Sequence, residues 1–114
     1  MTDELVLLGA VVRCDHDGHV ETQESQRWVT VEGTPVLRSS DPEGRDIGWC
    51  PNRGANIKPC KTTLTVEVGY SELVFIDGAH VVLASLRGKT DGTPPGAVHY
   101  RVRDPAQRFV QVEV

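Results

Sequence analysis

The chain has 114 residues, a formal net charge of −4 and only 5% aromatic residues. Its length suits one domain, and its acids and bases are interspersed with no basic patch or stripe, which argues against a nucleic-acid binder. The apolar runs are too short for a membrane span and the first has no basic lead-in, so neither a signal peptide nor a transmembrane helix is expected, and synthesis in the cytoplasm is the default.

Valine dominates the apolar set, and Gly and Pro are frequent, a mixture that favours short strands joined by tight turns. Residues 5–14, LVLLGAVVRC, read as one buried strand with Gly9 as a bulge. DHDGH (15–19) is a turn. RWVTVEGTPVLRSS (27–40) alternates about an EGTP turn and predicts a hairpin. Residues 40–60 are turn-rich, without a helical or strand period. KTTLTVEVGY (61–70) is a β-branched strand, and ELVFIDGAHVVLASL (72–86) predicts a second hairpin about a DG turn. A loop at 87–97 and strands at 98–104 and 108–114, separated by PAQ, complete the chain. No segment has the period of an amphipathic helix. The fold class is therefore all-β: a small body of short strands, hairpins and loops over 1–114, with a thin core of the kind that metals or partners reinforce.

WVTVEGTPVL from Trp28 and LVFIDGAHVVL from Leu73 share a plan of short apolar strand, acid, Gly and returning apolar strand. Two copies are too few for a solenoid and suit pseudo-symmetric hairpins.

The chemistry lies in three cysteines. Cys14 and His16 are two apart, so on an extended segment both side chains point to one side. Cys50 and Cys60, in GWCPNRGANIKPC, add two sulfurs. Three thiolates and one imidazole are the donor set of a closed tetrahedral zinc site, although the chain has no CxxC pair. Spacing alone leaves open reduced, buried cysteines with His16 on a surface turn. A Cys50–Cys60 disulfide is disfavoured by a reducing cytoplasm and by the odd cysteine it leaves. His19 is the second choice for the imidazole; His80 reads as a solvated turn residue and His99 as a strand surface residue. A Cys14 nucleophile with His16 as base is the enzymatic alternative, but two further thiols nearby suit ligation better.

The blocks AVVRCDHDGHV, VTVEGTPVL, GWCPNRGANIKPC, LVFIDGAHVVLAS and GKTDGTPPGAVHYRV resemble, in their order, the PAAR-like spike-tip proteins of contractile injection systems: type VI secretion, extracellular injection particles and phage tails. The resemblance spans residues 5–102. It implies a cone pinned near its apex by one metal, usually zinc, with Cys14, His16, Cys50 and Cys60 matching the ligand set. It further implies a structural, non-enzymatic protein that caps a trimeric (VgrG-like) spike, one copy per trimer, and sharpens it to puncture a target membrane, with effector cargo as a further partner. Such a tip is assembled at the particle apex and delivered outside the cell or into the target. Hairpins 28–37 and 73–83, with 98–112 as a third edge, would face the three spike chains. The Pro-Ala-Ala-Arg motif itself is absent, Asp15 and Asp17 flank His16, and His80 stands where the first hairpin has Pro35. The alternatives are a small zinc-binding adaptor and a Cys/His hydrolase.

Overall fold

The computed structural model describes residues 2–107 and 109–113. Among them there is no helix; ten strands carry the fold: β1 Thr2–Glu4, β2 Val11–Cys14, β3 His19–Val20, β4 Thr30–Val31, β5 Thr34–Pro35, β6 Ile47–Gly48, β7 Thr63–Ile76, β8 Ala79–Thr90, β9 His99–Asp104 and β10 Gln111–Glu113. Six form one sheet in the order β6-β3-β2-β9-β8-β7. The two edges of that sheet meet: the Ile47 N–H donates to the Lys61 carbonyl at 2.7 Å and the Thr63 N–H to the Arg45 carbonyl at 2.9 Å. The curled sheet buries Val12, Val20, Ile47, Leu86, Val98 and Tyr100 together with all three cysteines.

At the other end three backbone segments close a ring. The Val6 N–H donates to the Val82 carbonyl (3.0 Å), the Val82 N–H to Leu37 (3.1 Å) and the Leu37 N–H to Val6 (2.9 Å). The bridges around it rotate in the same sense: Leu5 with Leu83, Val81 with Arg38, Val36 with Leu7. Each segment belongs to a hairpin of one register. Thr30 faces Pro35 in β4–β5, Phe75 faces His80 in β7–β8, and Gln111 faces Glu4 in β10–β1. Three hairpins thus surround a pseudo-threefold axis, and the third is made by pairing the two ends of the described chain. Leu5, Leu7, Val36, Ile76, Val81 and Leu83 fill the space between them as a second core.

Each hairpin begins at a buried polar residue that ties its own backbone. Gln26 donates from Nε2 to the Val29 and Val36 carbonyls and accepts the Val29 N–H; Gln107 donates to the Leu5 and Val110 carbonyls and accepts the Val110 N–H. Ser71 takes the third place, its hydroxyl accepting the Leu73 and Val74 N–H groups.

Several boundaries differ from the sequence reading. Residues 5–14 are not one strand: the chain leaves the ring, turns at Leu8 and Gly9 and enters the sheet at Val11, with the bulge between Val11 and Val12. One apolar run therefore serves two cores. The strands expected at 61–70 and 72–76 are one strand, β7, whose repeated register shifts erase a clean alternation. The loop expected from 87 starts only after Thr90, because Arg87, Gly88 and Lys89 pair with β9. The first hairpin is paired over only two residues a side. The expected third edge, 98–112, is divided: β9 lies in the sheet, and only its last residues join the ring hairpins. The strand expected at 108–114 is described only over 111–113, Arg108 and Val114 lying outside the described residues. His80 is not a solvated turn residue; its Nδ1 meets the Ser71 carbonyl at 2.5 Å and its ring lies 4.5 Å from that of Phe75.

β7 fixes where the two ends lie. Fourteen residues of strand span about 43 Å, close to the 45 Å long axis of the molecule. Its first residue, Thr63, follows Cys60 closely, and its last, Ile76, enters the hairpin turn. The cysteine loop and the ring hairpins thus occupy opposite ends. Midway, Gly69 (φ 115°) lies so near β8 that a Cβ there would overlap the Leu86 backbone. Gly69→Ala is expected to lower stability by about 2–4 kcal/mol through overpacking and backbone strain; denaturant unfolding measures this, and a loss below about 0.5 kcal/mol would contradict that close approach.

Candidate metal centre

The site is built from one turn and one loop. β2 delivers Cys14 to the sheet end, and a tight turn follows: the Asp17 N–H donates to the Cys14 carbonyl at 2.9 Å and the Cys14 N–H to the Gly18 carbonyl at 3.0 Å. That turn lifts His16 over the buried Cys14. Gly18 is required by proximity, since a Cβ there would stand 2.8 Å from Ile47 Cγ2 and 3.0 Å from Cys14 Sγ. β6 delivers Cys50, and Cys60 precedes β7.

The four side chains named from the sequence come together. The donor atoms of Cys14, His16, Cys50 and Cys60 all lie within 4.8 Å of one another, and these residues could hold a metal ion. Cys14 Sγ is 3.8 Å from Cys50 Sγ, and Cys60 Sγ is 3.9 Å from His16 Nδ1. A tetrahedral ion with metal–sulfur bonds of about 2.3 Å has donor–donor edges of about 3.8 Å. The cysteines are free and buried, and 3.8 Å is far beyond the ~2.0 Å of a disulfide. His19, the second choice, is exposed on β3 opposite Gly48 and lies outside the cluster.

Polar hydrogens converge on the sulfurs. Gly18 N–H reaches Cys14 Sγ at 3.1 Å, Cys60 N–H reaches Cys50 Sγ at 3.3 Å, and the Thr90 hydroxyl donates to Cys60 Sγ at 3.3 Å. Burial opposes ionisation of Cys50, but the Asn52 and Cys60 N–H groups and the neighbouring thiols outweigh it and hold that thiol below its ordinary value. Burial, reinforced by the charges of Cys14 and Cys50, pushes the Cys60 thiol up to about 12 despite the Thr90 hydroxyl. Three sulfurs packed so closely cannot share negative charge without a cation among them; a metal ion relieves that conflict and displaces the protons.

Asp15, between the two turn ligands, anchors the turn to the sheet. Its N–H donates to the His99 carbonyl at 2.8 Å and its carboxylate accepts the His99 N–H at 2.9 Å, with Arg101 Nε at 3.5 Å. His99 itself reaches Glu67 through Nε2 at 2.9 Å, so it is a bridging residue of the strand surface. Thr90 and Asp15 had no signal in the sequence: both depend on which strands become neighbours.

No protein-family model, curated protein or solved structure matches this chain.

Cys60→Ser should cut bound metal well below one equivalent and lower the melting temperature strongly, because metal-binding energy is folding energy in a small site of this kind. His16→Ala should also release the metal, whereas His80→Ala and His99→Ala should keep it; elemental analysis of the four purified variants checks this, and the reverse pattern at His16 and His80 would overturn the ligand assignment. Thr90→Val removes the only side-chain hydroxyl on Cys60 among the described residues. It should weaken metal binding about 10–100-fold in competition with a chromophoric chelator, leaving the stoichiometry of the saturated protein unchanged.

Proposed function

We propose that the protein is a zinc-stabilised, PAAR-like spike tip: a non-enzymatic cap that sits on a trimeric spike protein of a contractile injection system and sharpens it for puncturing a target membrane. The observation that carries this reading is the pseudo-threefold ring. One chain that must seat on three identical chains faces a symmetry mismatch, and three equivalent hairpins resolve it within a monomer. Gln26-Arg27-Trp28-Val29, Ser71-Glu72-Leu73-Val74 and the Gln107-to-Val110 segment occupy equivalent places, and the third residue of each is a large apolar side chain left in solvent. Trp28 is 62% exposed, Leu73 67% and Phe109 73%. Three matched apolar points around one axis suit a threefold partner; scattered exposed apolar residues would have no such relation.

The opposite end supports the same reading. Zinc is the ion that three thiolates and an imidazole at tetrahedral spacing fit best. With all four positions supplied by protein, the ion would be a cross-link rather than a Lewis acid with an open face. The hydrolase alternative fits poorly: Cys14 is fully buried, and His16 Nδ1 is turned toward Cys60. The tip would be made in the cytoplasm and carried at the particle apex, with the metal end leading. Cargo would have to use surfaces other than the three hairpins.

Native mass measurement of the protein with a trimeric, VgrG-like spike protein from the same source tests the reading. One chain per trimer is expected, and replacing Trp28, Leu73 and Phe109 together by Ser should weaken capture at least about tenfold while leaving zinc content unchanged. Three chains per trimer would reject the pseudo-symmetric monomer. No capture at all would reject the spike-tip reading in favour of a small zinc-binding adaptor.

A further inference from the structure

The loop that supplies Cys50 and Cys60 also presents a surface that the metal does not use. Trp49 is 85% exposed, more than any other large apolar side chain described, and Ile57 in the same loop is 42% exposed. Trp49 has a φ of 63°, a left-handed conformation that is strained for a bulky residue. The chain thus accepts backbone strain at a residue whose indole lies in water. Within the loop itself the charge is one-sided: residues 48–61 contain Arg53, Lys58 and Lys61 and no acid, in a chain whose net charge is −4. Lys58 pairs with Asp91 at 3.1 Å. Arg53 and Lys61 have no ion pair among the described residues. Of the acids at this end, Asp15 faces His99 and Arg101 and Asp91 faces Lys58; Asp17 lies on the ligand turn, and Asp46, which bridges Thr62, and Glu21, bonded to the Asp46 backbone, lie beside the loop's edge rather than in it.

We propose that this loop contacts an anionic lipid surface, with Trp49 and Ile57 entering the headgroup layer and Arg53 and Lys61 meeting lipid phosphates. Exposed indole beside unpaired cations is the composition of an interfacial anchor, since indole favours the boundary between water and acyl chain and each cation gains from the negative surface. A rigid protein partner would require a shaped apolar patch, whereas this loop offers only the exposed Trp49 and Ile57 side chains; a fluid headgroup layer adapts to them. The proposal rests on the spike-tip reading only in taking the metal end as the leading end.

The test uses the full-length, zinc-loaded chain and vesicles of phosphatidylcholine with phosphatidylglycerol in equal parts, compared with phosphatidylcholine alone. Trp28→Phe leaves Trp49 as the only tryptophan, so its fluorescence reports the loop. A blue shift and at least about tenfold stronger sedimentation with the anionic vesicles are expected, both falling as salt is added. Trp49→Ser and the double variant Arg53→Glu, Lys61→Glu should each lose about tenfold or more in partitioning and keep one equivalent of zinc, which shows that the site still folds. Equal binding to neutral vesicles, or binding that survives both variants, would overturn the proposal. So would binding abolished instead by Trp28→Ser with Phe109→Ser, which would assign the adhesion to the hairpin face. A failed vesicle experiment leaves docking through the three hairpins standing, and failed docking leaves the lipid result standing.

Discussion

Three backbone hydrogen bonds, among Val6, Leu37 and Val82, set the frame of the molecule. Each of these residues has both its N–H and its C=O used within the ring, so none of the three segments can shift register without orphaning buried groups in the other two. All three side chains are buried, which makes that penalty large. The ring also decides where the rest of the chain starts. Leu8 leaves it to become β2, Arg38 leaves it toward the loop that ends at β6, and β8 passes through it directly into the sheet. The sheet inherits its strand order from three exits around one axis.

The cysteine end has the opposite problem. Residues 49–59 contain no strand pairing beyond a single bridge between Gly54 and Ile57, and most of their side chains are exposed. A segment like this cannot offset its ordering entropy by burial. What it offers is two sulfurs that meet a third sulfur and an imidazole on a separate turn. Ligation to one ion would join positions far apart in sequence and convert loop-closure entropy into stability. The two ends thus use different physics, a hydrogen-bonded apolar ring at one and a polar cluster suited to a cation at the other.

What the sequence disclosed follows from the same division. The donor set was legible because Cys14 and His16 are two apart at a strand end, and because cysteine is rare enough here that all three copies count. The all-β class and the EG and DG hairpins were legible from alternation and turn chemistry. The third hairpin was missed because its strands are the first and last described, and no local window contains both. Its trace was present nonetheless: Gln-Arg-Trp-Val at 26–29 and Gln-Arg-Phe-Val at 107–110 repeat a motif whose glutamine ties the hairpin backbone. β7 was divided in two because its register shifts break the period of two that marks a strand. Thr90 and Asp15 were invisible, since their partners are set by pairing across the sheet.

β8 connects the two ends. It holds Val82 in the ring and, eight residues later, about 26 Å along an extended strand, it places the Thr90 hydroxyl on Cys60 Sγ. Gly69 and Gly88 let β7 and the Tyr100 ring close on β8 between these points, for a Cβ at Gly88 would stand 2.5 Å from the Tyr100 ring. A force along the long axis therefore meets β7 and β8 in shear, with their ladder hydrogen bonds engaged together rather than opened one at a time. The point where such a ladder would begin to peel is its free end near Thr63 and Thr90. There the Cys60 sulfur, Thr90 and the closing bonds from Arg45 and Lys61 converge. An ion bound by Cys60 would tie that end to Cys14 on β2, across the sheet. On the proposed reading, stiffness under axial load would come from placing the cross-link at the one strand end that the ring cannot hold.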